Sequence, residues 1–270
     1  MIIGCGYTGT RLARALVGRA ASITVVRRTI DGDDIAGLGP LGVRAVCADL
    51  ADPASLDGLV PADSIAVCLA PPGADPGAEI RALIDAARDA ARVVYVSSSG
   101  VYAAGGGAWV DEGWPIDPMT HSGRARAAAE AELARTELHW IALRAAGIHG
   151  PGRGLVDRIR TGSYRIIGDG TTHVSRIHVD DLVAAIIAAG TSSVHGYVNV
   201  ADDDPAPIGE VGDAIAAALG VAPPPRLPVE TVTAEIADML TADRKICNAR
   251  MKRELGVVLR YPSWRSVLGG

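Results

Sequence analysis

Met1-Ile2-Ile3-Gly4-Cys5-Gly6-Tyr7-Thr8-Gly9 opens the chain and decides its fold. Residues 4–9 have the form GxGxxG and run straight into an apolar-periodic stretch (Leu12, Ala13, Ala15, Leu16), after which a second strand pattern follows at Ile23-Thr24-Val25-Val26. Alone the motif is weak, because glycine supplies 32 of 270 residues. Between a strand and a helix each glycine has a physical task. One permits the tight turn, one lets a pyrophosphate approach the backbone, and one lets the helix pack on the strand. The N–H groups and positive dipole end of the helix then suit the phosphates. The segment reads as a dinucleotide-binding turn at Gly4, Gly6, Tyr7, Thr8 and Gly9, against the alternative of a glycine-rich turn with no ligand. At three residues the first strand lies at the bottom of the usual length, which implies that it is clipped or that the true start lies upstream.

Working outward, 270 residues suffice for one large α/β domain, or for a doubly wound core with a smaller lobe, stabilised without disulfides or metals. Apolar residues make up 49% of the chain, yet it contains no Phe. Ala, Val, Ile and Leu must fill the interior, which suits parallel strands buried on both faces. A net charge of −5 without a basic block argues against nucleic acid as a partner. Cys5, Cys47, Cys68 and Cys247 show no metal spacing and read as buried, reduced thiols, so no metal is expected. With neither a signal peptide nor 18 uninterrupted apolar residues, the expectation is a cytoplasmic protein with no membrane partner.

Strand patterns lie at 1–3, 23–27, 43–47, 64–70, 92–97 and 139–144, and helical stretches at 8–19, 53–59, 77–90 and 122–138. This alternation predicts an α/β fold, a Rossmann-like doubly wound parallel sheet with a smaller C-terminal substrate lobe. Beyond residue 150 the alternation loosens. Pro151-Gly152-Arg153-Gly154 opens a loop, an apolar helix runs over 179–189, and prolines break the chain at 205, 207 and 223–225. Residues 1–150 are therefore read as the nucleotide-binding domain. Residues 151–270 are read as a mixed region that completes the sheet and forms the small substrate-binding lobe.

The second strand ends Val26-Arg27-Arg28-Thr29, where an NAD site usually places a carboxylate about 20 residues beyond the glycines. The nearest acids, Asp31, Asp33 and Asp34, come later. A guanidinium matches a 2′-phosphate in charge and fork geometry, so NADP is favoured over NAD unless Arg27 and Arg28 are merely solvated. Ligands bind outside the carboxyl ends of the strands, which puts Asp49, Leu50 and Ala70 at the cofactor, with Asp49 an acceptor for the adenine amino group.

In order along the chain stand Gly4–Gly9, Asp49-Leu50, Val94-Tyr95-Val96-Ser97-Ser98-Ser99-Gly100-Val101-Tyr102 and Leu143-Arg144-Ala145-Ala146-Gly147-Ile148-His149-Gly150-Pro151-Gly152. Arg176-Ile177-His178-Val179-Asp180-Asp181-Leu182 and Tyr197-Val198-Asn199-Val200-Ala201-Asp202-Asp203 follow. With these segments the chain resembles the extended short-chain dehydrogenase/reductase superfamily, in its epimerase/dehydratase branch, over nearly its whole length. It looks closest to atypical members. The resemblance implies NAD(P) chemistry on a small-molecule substrate and a homodimer built as a four-helix bundle from the helices at 77–90 and 122–138.

The chemistry departs from that pattern. Active members of the superfamily carry Tyr-x-x-x-Lys, in which the lysine lowers the tyrosine pKa so that a proton moves near neutral pH. Matching Gly123 and the trailing Ala128-Ala129-Glu130 puts Ser122 at the tyrosine position and Arg126 at the lysine position. Serine is shorter and far less acidic, and arginine keeps its charge permanently, although it still suits ribose hydroxyls. Ser98 matches the superfamily's catalytic Ser/Thr, which hydrogen-bonds the reacting oxygen; no His–Asp pair activates it as a nucleophile. His121 is the leading substitute acid, against the alternative of an exposed histidine at a helix start. Tyr102, His149, Arg153 and Arg176 are the substrate candidates, the arginines suiting acidic or nucleotide-linked groups. Tyr102 also reads as loop packing and His149 as structural. Asp111 and Glu112 follow a glycine-rich loop that reads equally as a lid or as a solvated turn. Two functions compete: an NADP-dependent oxidoreductase or epimerase/dehydratase-like enzyme on a small polar or nucleotide-linked substrate, and a dinucleotide-binding sensor or scaffold with little turnover.

Overall fold

The computed structural model describes residues 1–29 and 37–268, so Asp31, Asp33 and Asp34 lie outside the described residues. Short apolar runs without Phe form strands β1 (Ile2–Ile3), β2 (Thr24–Arg27), β3 (Arg44–Cys47), β4 (Ile65–Cys68) and β5 (Arg92–Ser98). Trp140–Ala145 and Gly196–Val200 complete a seven-stranded sheet in the order 196–200, 140–145, β5, β4, β1, β2, β3. β1 pairs in parallel with both β2 and β4, and β2–β3 and β4–β5 are parallel as well. The strand order reverses at β1, so the loop after β1 sits where doubly wound sheets bind ligands. β5 and Trp140–Ala145 are buried almost throughout, as strands covered on both faces require.

The chain divides into two compact units that interleave along the sequence. One holds Met1–Ser97, Ala125–Leu143 and Val183–Tyr197; the other holds Ser98–Arg124, Arg144–Leu182 and Val198–Gly270. The first unit's core gathers Ile3, Val26, Leu50, Ile80, Leu83, Tyr95, Leu133 and Trp140. That of the second gathers Ile159, Tyr164, Ile166, Ile208, Val211, Ile215 and Trp264.

Helices α1 (Tyr7–Leu16), α2 (Pro76–Ala86) and α3 (His121–Leu133) follow β1, β4 and β5. Asp75 caps α2 by accepting from the Ala78 N–H at 2.9 Å, with Pro76 in the first turn. The stretch 53–59 forms only a four-residue 3-10 turn, Pro53–Leu56, because Gly58 and Pro61 leave too few residues to propagate a helix. Buried thiols are found at Cys5 and Cys68 only. Cys47 is exposed on β3, an edge strand, and Cys247 is half-buried. No helix among the described residues is long and apolar enough to cross a membrane.

Candidate functional site

The three glycines of the first loop differ in what surrounds them. Gly4 has φ +94°, and a Cβ there would lie 2.5 Å from the Ala70 backbone N. A Cβ on Gly9 would lie 2.5 Å from the Gly4 carbonyl oxygen, so helix and strand touch through bare backbone. A Cβ on Gly6 meets nothing within 4 Å. Gly6 occupies the N-cap position of α1, whose start has no side-chain cap hydrogen bond and no acidic residue in its first turn. Two closed glycines flanking an open one at an uncapped helix start form the cradle that a pyrophosphate requires. Thr8 is buried, and Tyr7 is half-buried under the Arg11 guanidinium at 3.9 Å.

Arg27 ends β2 half-buried and Arg28 is exposed, with the Arg28 carbonyl accepting from the Cys47 thiol at 3.0 Å. Asp49 is half-buried and its carboxylate accepts from the Ala51 N–H at 3.1 Å. Leu50 and Ala70 line a small cavity with Cys68, Glu79, Ile80 and Tyr95. The Glu79 carboxylate accepts from the Gly73 N–H at 2.8 Å. Burial pushes the Cys68 thiol up to about 11 and the Tyr95 phenol up to about 12, despite the nearby Arg126 charge.

Arg126 donates to the Tyr95 hydroxyl at 3.3 Å and to the Val96 carbonyl, which holds its guanidinium against β5. One turn further along α3, Glu130 is buried and accepts from Ser97 Oγ at 2.6 Å. Removing that donor leaves a buried carboxylate short of a partner. Ser97→Ala is therefore expected to cost about 2 kcal/mol in urea-unfolding measurements; an unchanged midpoint would contradict this role for Ser97.

In the second unit Ser98 is half-buried, and its Oγ accepts from the Gly100 N–H at 3.0 Å. A Cβ on Gly123 would lie 2.3 Å from the Gly100 carbonyl oxygen, so the start of α3 packs directly on the turn that carries Ser98. Ser122 and His121 are exposed at that helix start, and the His121 backbone N–H donates to Glu235 at 2.6 Å. Tyr102 is fully buried. Its hydroxyl donates to Asn199 Oδ1 at 2.7 Å and accepts from Arg144 Nη1 at 3.0 Å. That network orders the interior, and substrate contact is not assigned to Tyr102.

The other substrate candidates separate. Arg153 is exposed in a turn closed by backbone bonds to Gly150. His149 and Arg176 lie on the paired strands Gly147–His149 and Arg176–His178, in register His149 with His178. The His149 ring meets the His178 ring edge-on at 5.3 Å, and His178 stacks on Tyr261 at 3.7 Å. Asp181 fixes Tyr261 by accepting both the Arg260 and the Tyr261 backbone N–H groups, at 2.8 and 2.9 Å. Burial, helped by the charges of His178 and Arg176, holds His149 down at about 4, so its imidazole is neutral at physiological pH. Burial likewise lowers Arg176.

Sequence reasoning missed Asp202. Its carboxylate is buried beside Arg176, and burial pushes it up to about 7. Nothing in the run Asp202-Asp203-Asp204 distinguishes the buried acid from its two solvated neighbours. Among the described residues no group of three or more His, Cys, Asp or Glu is placed to hold a metal ion.

The sequence profile of a family described as NAD(P)H-binding matches residues 4–190. The chain is 33% identical over 171 residues, 59% of its own length and 54% of the relative's, to 3-diazoavenalumate denitrifying reductase from a Streptomyces species. It thus spans about half the length of that curated relative. A conserved protein of Silicibacter pomeroyi DSS, described as functionally unknown, superposes with a TM-score of 0.84 at 29% identity, covering 99% of this chain and 95% of that one. Human epimerase family protein SDR39U1 (isoform 2), solved with NADPH, gives a TM-score of 0.78 at 22% identity over 99% and 98% of the two chains. The profile match, the sheet order and the glycine cradle agree: the chain belongs to the NAD(P)H-binding family and has the fold of the extended short-chain dehydrogenase/reductases, the NAD-dependent epimerases and dehydratases.

Proposed function

We propose that this protein is an NADP-dependent reductase of a small polar, acidic or nucleotide-linked substrate. The observation that carries the reading is the open space at Gly6, at an uncapped helix start between two glycines whose own space is filled. The backbone at Gly6, Tyr7, Thr8 and Gly9 holds the pyrophosphate, and Arg27 and Arg28 take the 2′-phosphate. Asp49 accepts from the adenine amino group, while Leu50 and Ala70 give the cofactor apolar contact. When bound, the cofactor supplies a hydride.

On the substrate side, Ser98 orients the reacting group, and Arg176, His149 and Arg153 bind and position the rest of the molecule. His121, exposed beside Ser122 at the start of α3, is the group that carries a proton, and Arg126 serves the ribose. Tyr95 and Tyr164 are both held protonated by burial and do not replace the missing tyrosine. The name of the Streptomyces relative favours a reductase over an epimerase. A binding protein with little turnover is the second reading, favoured by the hold of Val96 and Tyr95 on Arg126.

Calorimetric titration with NADPH and NADH tests the first reading, followed by NADPH oxidation against a panel of carbonyl and other electrophilic substrates. NADPH is expected to bind more tightly. In the double variant Arg27→Ala, Arg28→Ala its affinity falls about tenfold, as loss of partly exposed charge contacts implies, while NADH is unaffected. Binding of neither nucleotide would sink both readings. Tight NADPH binding without oxidation of any substrate would favour the second.

A further inference from the structure

Among the described residues six buried side-chain polar atoms lack a hydrogen-bond partner, all of them in the second unit, and three of the six are Arg176 Nη1, Asp202 Oδ2 and His149 Nε2. These three are neighbours. Gly147–His149 pairs with Arg176–His178, and the Asp202 backbone N–H donates to the Arg176 carbonyl at 2.7 Å. Asn248 Nδ2 donates to the Asp202 carbonyl at 3.1 Å, which fixes the backbone that carries the acid. Asp202 and Arg176 interact electrostatically, as do His149 and Arg176. Buried donors and acceptors normally find partners, and an unsatisfied guanidinium that interacts with both an unsatisfied carboxyl and an unsatisfied imidazole describes a place for a ligand.

The donor set selects the ligand. Arg176 offers a permanent positive charge to an oxyanion. Ionised Asp202 would repel that oxyanion, whereas protonated Asp202 would donate a hydrogen bond to it. Neutral His149 adds a donor or an acceptor at no cost in charge. We propose that Arg176, Asp202 and His149 form one binding site for an oxyanion, the carboxylate or phosphate of the substrate, and that Asp202 takes up a proton from solvent as the anion enters. The inference rests on the assignment of Arg176 to the substrate made above and adds Asp202 as the residue that sets the protonation state and the pH range of binding.

The groups that face Asp202 agree with this. Arg176 is the cation beside it, and Asp203 and Asp204 on its own segment oppose its ionisation. The charges of those two acids are met elsewhere, Asp203 by Lys252 and Asp204 by Arg265. His149 and His178 lie on the paired strands, and Tyr164, held protonated by burial, stands by Arg176. A carboxyl already reluctant to ionise is the one that an arriving anion converts to its neutral form.

Titration calorimetry of the whole protein at pH 8, in buffers of differing ionisation enthalpy, tests the idea with benzoate and with sulfate. Neither probe changes protonation there, so any proton taken up belongs to the protein. The expected result is uptake of about one proton per bound anion, with affinity falling roughly tenfold per pH unit above neutrality. Binding of benzoate alone would identify the ligand group as a carboxylate, and binding of sulfate alone as a phosphate. Asp202→Asn keeps the Oδ1 that accepts from the Asp204 N–H, and is expected to bind the same anion without proton uptake and with no pH dependence. Binding by wild type with no proton uptake overturns the proposal, as does uptake that persists in Asp202→Asn, or no binding of either probe. Binding that survives Arg176→Gln in a protein shown folded by its thermal transition would instead remove Arg176 from the substrate site.

Discussion

Gly4→Ala is expected to lose about 4 kcal/mol of folding stability, whereas Gly6→Ala folds like wild type and binds NADPH about a hundredfold more weakly. The first effect has two parts. A left-handed backbone costs an L-residue about 1–2 kcal/mol, and Gly4 sits at φ +94°. The new Cβ would also lie 2.5 Å from Ala70 N, 2.8 Å from Ala70 Cα and 2.9 Å from the Leu69 carbonyl carbon. All three are backbone atoms of the neighbouring strand end, which no rotamer change can move, and such overpacking adds about 1–3 kcal/mol. A Cβ on Gly6 meets nothing within 4 Å, so an alanine methyl group has room there. Its methyl group occupies the approach of the pyrophosphate, and two lost charge-assisted hydrogen bonds amount to about 3 kcal/mol. Urea unfolding and nucleotide titration on the two variants separate these effects. Equal destabilisation of both, or undiminished NADPH binding by Gly6→Ala, would refute the assignment of the cradle.

Between pH 5 and pH 8 wild type is expected to lose about 3 kcal/mol of stability that Asp202→Asn retains. In the unfolded chain this carboxyl titrates at its ordinary 3.8; in the fold, burial raises it to about 7. Between those values the folded state holds a proton that the unfolded state has released. Stability therefore falls as pH rises through that window and levels off above about 7, where both states are ionised. The opposite sign, a protein that gains stability from Asp202 on going from pH 5 to pH 8, would mean that the acid is paired rather than stranded. Chemical denaturation at several pH values on both proteins gives the difference directly, because every other titrating group cancels.

The fold was readable because its signals are local. Apolar runs at 23–27, 43–47 and 92–97 lie within a residue or so of β2, β3 and β5, and Gly4 and Gly6 fall between β1 and α1, with Gly9 in the first turn of α1. Helix lengths were less readable. The stretch 122–138 closes at Leu133, and the chain then turns through a Thr136 N–H bond to the Leu133 carbonyl. The cofactor loop was legible for the same reason as the fold, since a glycine's role depends on the backbone next to it. The unsatisfied cluster was not. Asp202 becomes special only when pairing across the fold sets it beside Arg176, and no spacing in the sequence encodes that neighbour. Tyr102 shows the converse: a motif residue whose hydroxyl is already committed to Asn199 and Arg144.

The three glycine contacts also have a mechanical meaning. Gly9 rests on the Gly4 carbonyl, Gly4 on the Ala70 backbone, and Gly73, three residues on, meets the Glu79 carboxylate of α2. Side chains ordinarily cushion such junctions, because a rotamer can yield before the main chain does. Here the first two joints are main chain against main chain, and the third is a single short strut. A push on the start of α1 has no soft element to absorb it before it reaches the end of β4. The nucleotide loop and the residues just after β4 therefore meet with no side chain between them, so a displacement of one has a direct main-chain route to the other.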